Sequence, residues 1–135
     1  MTDVDTQGFT TPDGRRIGPV LMEMKNITLR FGGVKAITDI SFDIRKGEIR
    51  AIIGPNGAGK SSMLNVISGF YVPTEGSVWF KGYQRGPMKP YQVAQLGIAR
   101  TFQNIALFDG MSVLDNIMTG RLTLMKSGLF SQAFW

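Results

Sequence analysis

The sequence predicts an α/β fold, and three observations carry that prediction. The run "IRAII" at residues 49–53 has the composition of a strand, apolar enough at its end to be buried on both faces, as in a parallel sheet. The glycine-rich stretch "GPNGAGKSS" follows it directly. Behind that, "KSSMLNVISGF" sets Met63, Leu64, Ile67 and Phe70 at helical spacing, with Gly69 as its C-terminal stop. Strand, glycine loop and helix in that order form a βα unit.

The remaining elements follow in chain order. Residues 1–19 are poor in apolar side chains and rich in Thr, Gly and Pro, so they read as a flexible leader. "VLMEMKNITLRF" is rich in apolar and β-branched residues and reads as a strand. Gly32 and Gly33 supply a turn, and "ISFDI" at 40–44 alternates with period two, as a half-buried strand does. "RKGE" is a tight turn. After the predicted helix, "YVPTEG" reads as a turn, "SVWF" as a short strand and "KGYQRGPMKP" as a loop. "PYQVAQLG" suits a short helix with Pro90 in its first turn and Gly97 at its end. "IARTFQ" reads as another strand. "MSVLDNIMTG" begins like a capping box, with Ser112 as N-cap and Asp115 three residues on.

A length of 135 residues fits one domain or an incomplete one. The net charge of +5 comes from 15 basic and 10 acidic side chains. The basic residues are scattered, with no stripe interleaved with aromatics, which argues against a nucleic-acid surface. The absence of cysteine excludes disulfides and thiolate metal sites. The absence of histidine removes the commonest general base and the commonest transition-metal ligand. No apolar run approaches the roughly 20 residues that span a bilayer, and the N-terminus lacks the pattern of a secretory signal. A soluble or peripheral, intracellular chain is expected.

The stretch Gly54, Pro55, Asn56, Gly57, Ala58, Gly59, Lys60, Ser61 matches the phosphate-binding pattern G-x-x-x-x-G-K-[ST], or Walker A. The glycines let the backbone wrap with its N–H groups inward, as an anion nest. The helix beginning near Lys60 adds its positive dipole end. Lys60 would bridge the β- and γ-phosphates, Ser61 would offer a hydroxyl to Mg²⁺, and Ser62 would reach the α-phosphate. A glycine turn with an exposed lysine is the bland alternative, and the flanking strand and helix count against it.

Downstream, "GIARTFQNIALFDGMSVLDNI" resembles the Q-loop region of ATP-binding-cassette (ABC) transporter ATPases. "RTFQ", "LFDGMSVLDNI" and "KSGLFS" are similar to the ATP-binding subunits of branched-chain amino-acid importers, over about residues 21–130. The resemblance implies a P-loop ATPase core with an antiparallel β subdomain and the start of a helical subdomain, an incomplete domain. On that pattern residues 20–103 hold the N-terminal half of the catalytic core, and 104–135 open the helical subdomain. ATP and Mg²⁺ are the implied cofactors. Phe31 falls where the family stacks an aromatic on adenine, although a packed strand-end aromatic remains an alternative. Gln103 falls at the Q-loop glutamine, a Mg²⁺ ligand that positions water; a solvent-facing polar residue is its alternative. The implied partners are transmembrane permease subunits, a second ATP-binding subunit and, indirectly, a substrate-binding protein outside the membrane. The implied place is the cytoplasmic face of the cell membrane.

The sequence also departs from that pattern. It has no LSGGQ-like signature, no Walker B run ending in Asp-Glu, and no histidine for a switch position. "IALFD" imitates Walker B but follows Gln103 at once and precedes Gly110 rather than Glu. The expectation is therefore an N-terminal part of a longer ATPase, inactive in hydrolysis by itself. Three rivals stand beside it: a P-loop phosphotransferase, a non-transport ABC-type ATPase, and a nucleotide-binding module without catalysis.

Overall fold

Apolar and β-branched residues alternate through the first part of the chain. The computed structural model, which describes residues 8–102 and 107–121, pairs them into two antiparallel sheets. The smaller is a hairpin of β1 (Phe9–Thr10) and β2 (Arg16–Ile17). It lies inside the segment expected to be a flexible leader, so that expectation is corrected for these residues. The reason is local bonding. Thr11 N–H donates to Arg15 O at 2.9 Å, the Arg15 guanidinium pairs with Asp13 at 2.6 Å, and Ile17 is buried.

The larger sheet has four strands in the order β4-β3-β5-β6. β3 (Val20–Phe31) and β4 (Val34–Arg45) form a long ribbon, with Phe31 opposite Val34 across the Gly32–Gly33 turn. β5 (Glu75–Phe80) pairs with the other edge of β3, and β6 (Tyr83–Arg85) pairs with β5. β6 lies in what the sequence suggested was a loop. Three residues carry too little alternation to announce a strand.

The ribbon is irregular at matched places. Between Met24 and Ile27 the register slips by one residue on β3, and between Ile27 and Leu29 it slips back on β4. Asn26 and Asp39 sit at these slips with left-handed backbones, φ 51° and 48°. Their side chains bond, Asn26 Nδ2 to Asp39 Oδ1 at 2.8 Å, which offsets part of the conformational cost. The slip also resets the side-chain alternation. Met22 and Met24 face the core before it, Ile27 and Leu29 after it.

Helix α1 (Lys60–Ile67) packs on this face through Met63 and Val66, which join Ile37 and Val78 in the core. Leu64 and Phe70, expected on the buried stripe, are exposed, while Ile67 is half-buried against the core. Gly69 ends the helix as expected, with φ 78°. Helix α2 (Pro90–Gln95) follows β6; Lys89 N–H is capped by Gln92 Oε1 at 2.9 Å, and Gly97 takes φ 94° beyond its end. The described residues divide into two units between Ala99 and Arg100. In the second, α3 (Val113–Thr119) starts at Ser112, whose hydroxyl accepts from Asp115 N–H at 3.2 Å, as the capping pattern predicts.

Two predicted strands are corrected. Residues 49–53 have no ladder partner among the described residues, and Ile49 and Ile53 are 87% and 92% exposed. A parallel strand is defined by its neighbours, and β4 ends the sheet on that side. Residues 98–102 are likewise irregular. No helix among the described residues is long and apolar enough to cross a membrane.

Candidate phosphate-binding site

The approach to the glycine loop is held by charge. β4 leaves its last residue into the tight turn that the sequence predicts, closed by Glu48 N–H to Arg45 O at 3.1 Å. The Glu48 carboxylate accepts from Arg45 N–H at 2.8 Å and pairs with Arg50 at 2.6 Å. Arg50 and Arg45 both reach Asp43, at 3.3 and 3.1 Å. These four side chains tie Arg50 to the end of β4 and its turn, where no backbone ladder does. Sequence reasoning did not single them out. The alternating signs of Asp43, Arg45, Glu48 and Arg50 were the available signal.

The loop itself turns back between Pro55 and Ala58, whose N–H donates to Pro55 O at 3.3 Å. Gly59 stands at the helix N-cap in the left-handed region, φ 81°, and passes against β4. A Cβ there would lie 2.4 Å from Ala36 O and 3.2 Å from Ile37 Cγ1. Being glycine, it offers no capping side chain, so no N-cap side chain satisfies the first-turn N–H groups of α1. The first turn also carries no acidic residue to repel an anion.

Lys60 folds back over this opening. Its Nζ donates to Gly54 O and Pro55 O, each at 2.6 Å. Ser61 is exposed beside it and Ser62 is half-buried. Gly54, Pro55, Asn56, Gly57 and Ala58 are exposed around the loop. The Lys60 ammonium and an uncapped helix N-terminus thus lie together at this loop, with Ser61 and Ser62 next on the first turn of α1. That arrangement suits a phosphate chain.

Phe31 closes β3 at 45% exposure. Its ring meets Tyr71 edge to face, with centroids 4.9 Å apart and planes at 74°. Gln103 lies outside the described residues. No group of three or more His, Cys, Asp or Glu among the described residues could hold a metal ion.

Arg85, which the sequence gave no reason to notice, caps the far end of α1. Its two terminal nitrogens donate to Ile67 O at 2.5 Å and Val66 O at 2.6 Å. Burial pulls its pKa down from the ordinary arginine value.

Comparison with known proteins agrees with this geometry. The profile of the ABC transporter family matches residues 37–133. The chain is 38% identical over 111 residues to the high-affinity branched-chain amino acid transport ATP-binding protein LivG of Salmonella typhimurium, covering 82% of this chain and 44% of LivG. It is 42% identical over 102 residues to a putative ribose/galactose/methyl galactoside import ATP-binding protein of Agrobacterium fabrum, covering 76% of this chain and 20% of that one. Among solved structures it resembles MJ1267, an ATP-binding cassette of an ABC transporter, with TM-score 0.70 and 36% identity over 86% of this chain and 46% of that one. The ADP conformation of MJ1267 matches with TM-score 0.62 at 30% identity, over 85% of this chain and 51% of that one. The chain thus spans about half the length of LivG and MJ1267, and less of the sugar-import relative. With its glycine loop, helix and antiparallel sheet in the arrangement that those cassettes share, the chain belongs to the ABC transporter family.

Proposed function

We propose that this chain is the nucleotide-binding portion of an importer's ATP-binding subunit, which couples ATP binding and hydrolysis to transport of branched-chain amino acids. The observation that carries the reading is the Lys60 ammonium, folded over an uncapped helix N-terminus at 2.6 Å from Gly54 O and Pro55 O. ATP would take the place of those carbonyls. Its γ- and β-phosphates would meet Lys60, and its α-phosphate would meet Ser62. Ser61 is exposed on the first turn of α1 and is a hard oxygen donor, as Mg²⁺ requires. Mg²⁺ takes few protein ligands beside phosphate oxygens, so the absence of a carboxylate cluster among the described residues does not disfavour it. When bound it neutralises phosphate charge. Gln103 is the proposed second ligand. Phe31, half-exposed at the strand end, is the proposed adenine platform.

Permease subunits, a second ATP-binding subunit and a substrate-binding protein are the partners that this reading requires, at the cytoplasmic face of the membrane. The amino-acid cargo rests on the LivG likeness, which spans more of both chains than the sugar-import likeness does. A sugar cargo is the second reading. Stimulation of the assembled transporter's ATPase by leucine-loaded or by ribose-loaded binding protein separates the two. The nucleotide reading is tested by calorimetry with Mg-ATP. Lys60→Ala should lose the binding heat, and equal affinity in both proteins would remove the cradle from the argument.

A further inference from the structure

The chain that leaves the phosphate-loop helix returns directly to Phe31. At its start, Asn65 O of α1 accepts from Phe70 N–H at 2.9 Å and from Tyr71 N–H at 3.2 Å. Tyr71 then packs partly into the core and meets the Phe31 ring edge to face at 4.9 Å. Three residues on, Thr74 N–H donates to Thr28 O at 2.8 Å, and the Thr74 hydroxyl accepts from Arg30 N–H at 3.1 Å. One short connection is therefore bonded to the helix behind the cradle and to the residues just before the aromatic at the strand end.

From this we infer that Tyr71, braced by Thr74, is a positioning residue that holds the Phe31 ring at a set place relative to the phosphate cradle, and so determines preference for a purine nucleotide over bare triphosphate. The inference rests on the reading of Phe31 as the adenine platform. The physical argument is entropic. A half-exposed Phe at a strand end, beside a glycine turn, is free to change rotamer, and a ligand that stacks on it must first stop it. An edge-to-face partner fixes the ring in advance and leaves its other side for a base. The bonds to Asn65 mean that the partner moves with α1, so cradle and platform keep their spacing.

The test measures Mg-ATP and inorganic tripolyphosphate affinity by calorimetry on the full chain. Tyr71→Leu should weaken ATP about two- to tenfold, the range of a lost aromatic pair, and leave tripolyphosphate within about twofold. Tyr71→Phe, which keeps the ring, should restore ATP. Thr74→Val, which removes the hydroxyl acceptor, should weaken ATP in the same sense, and it decides the matter if Tyr71→Leu fails to fold. Unchanged ATP affinity in both Tyr71→Leu and Thr74→Val, with Phe31→Ala still weakening ATP, overturns the positioning role and leaves the platform standing. Equal loss of both ligands without rescue by Phe marks Tyr71 as merely structural and also overturns it. An unchanged ATP-to-tripolyphosphate ratio in Phe31→Ala removes the platform, and the inference with it.

Discussion

At Gly59 one Cα meets two separate demands. Its φ of 81° belongs to the left-handed region, and the space where a Cβ would sit already holds Ala36 O. Gly57 shares the conformation, φ 84°, but has open space around it. The two positions separate strain from clash. Gly57→Ala should destabilise by about 1 kcal/mol, the lower end of left-handed strain. Gly59→Ala adds displacement of the loop from β4 and should exceed about 2 kcal/mol. Chemical denaturation of both variants checks the order, and ATP titration should find Gly59→Ala the weaker binder. The residues of this loop were legible in the sequence because the motif is contiguous and its chemistry local. The exposure of Phe31 and its contact with Tyr71 were not. They depend on the 39 intervening residues, 32–70, which bring the end of β3 and the chain just beyond α1 together.

Among the elements, α1 is held at both ends by other elements, Gly59 against β4 and Arg85 from β6. A cation at a helix C-terminus opposes the dipole there and satisfies carbonyls that the helix leaves unpaired. The opposing cost is desolvation, together with a buried Nε that has no partner among the described residues. Two charge-assisted bonds outweigh one stranded donor, so Arg85→Met should destabilise by about 1–3 kcal/mol. Thermal unfolding measures it, and an unchanged or raised Tm would reverse the balance. The β1–β2 hairpin offers a pH readout. Bonds first from Thr11 and then from Arg15 lower the Asp13 carboxyl below its ordinary value. A lowered folded-state pKa means a contribution present at neutral pH and lost as pH falls through the folded value. NMR shifts of Thr11 and Arg15 amides should therefore hold through mild acid and move only below the usual carboxylate range. β3 was legible from its apolar and β-branched composition, but of β4 only residues 40–44 were, because the register slip at Asp39 breaks the alternation before them. Residues 49–53 carry the composition of a strand, but a ladder needs a neighbour that no local pattern supplies.

Taken as a whole, the molecule leaves much apolar surface uncovered. Ile49 stands in solvent, and Ile53, also exposed, borders a cavity of about 400 Å³ lined by Ile37, Phe42 and Met63. In the second unit Leu114, Ile117 and Met118 are exposed on α3. Surfaces of this kind drive association. Sedimentation of the 135-residue chain should show mass rising with concentration. Steady ATP hydrolysis is expected to be absent. In-line attack needs a base or water-positioning group near the γ-phosphate, and none of the chain's 10 acids stands in an Asp-Glu pair after an apolar strand. Phosphate release that Lys60→Ala abolishes would overturn this expectation.

The paired irregularities of the β3–β4 ribbon bear on how the chain tolerates changes of length. Each strand contains one residue that its partner does not match at the central slips, near Asn26 and near Asp39. Loss of either residue alone would remove one bulge and leave Met24 opposite Phe42, Ile27 opposite Ile40 and Leu29 opposite Ile37. A single deletion at Asn26 or at Asp39 should therefore be tolerated without a compensating one in the other strand, and chemical denaturation of each variant checks it.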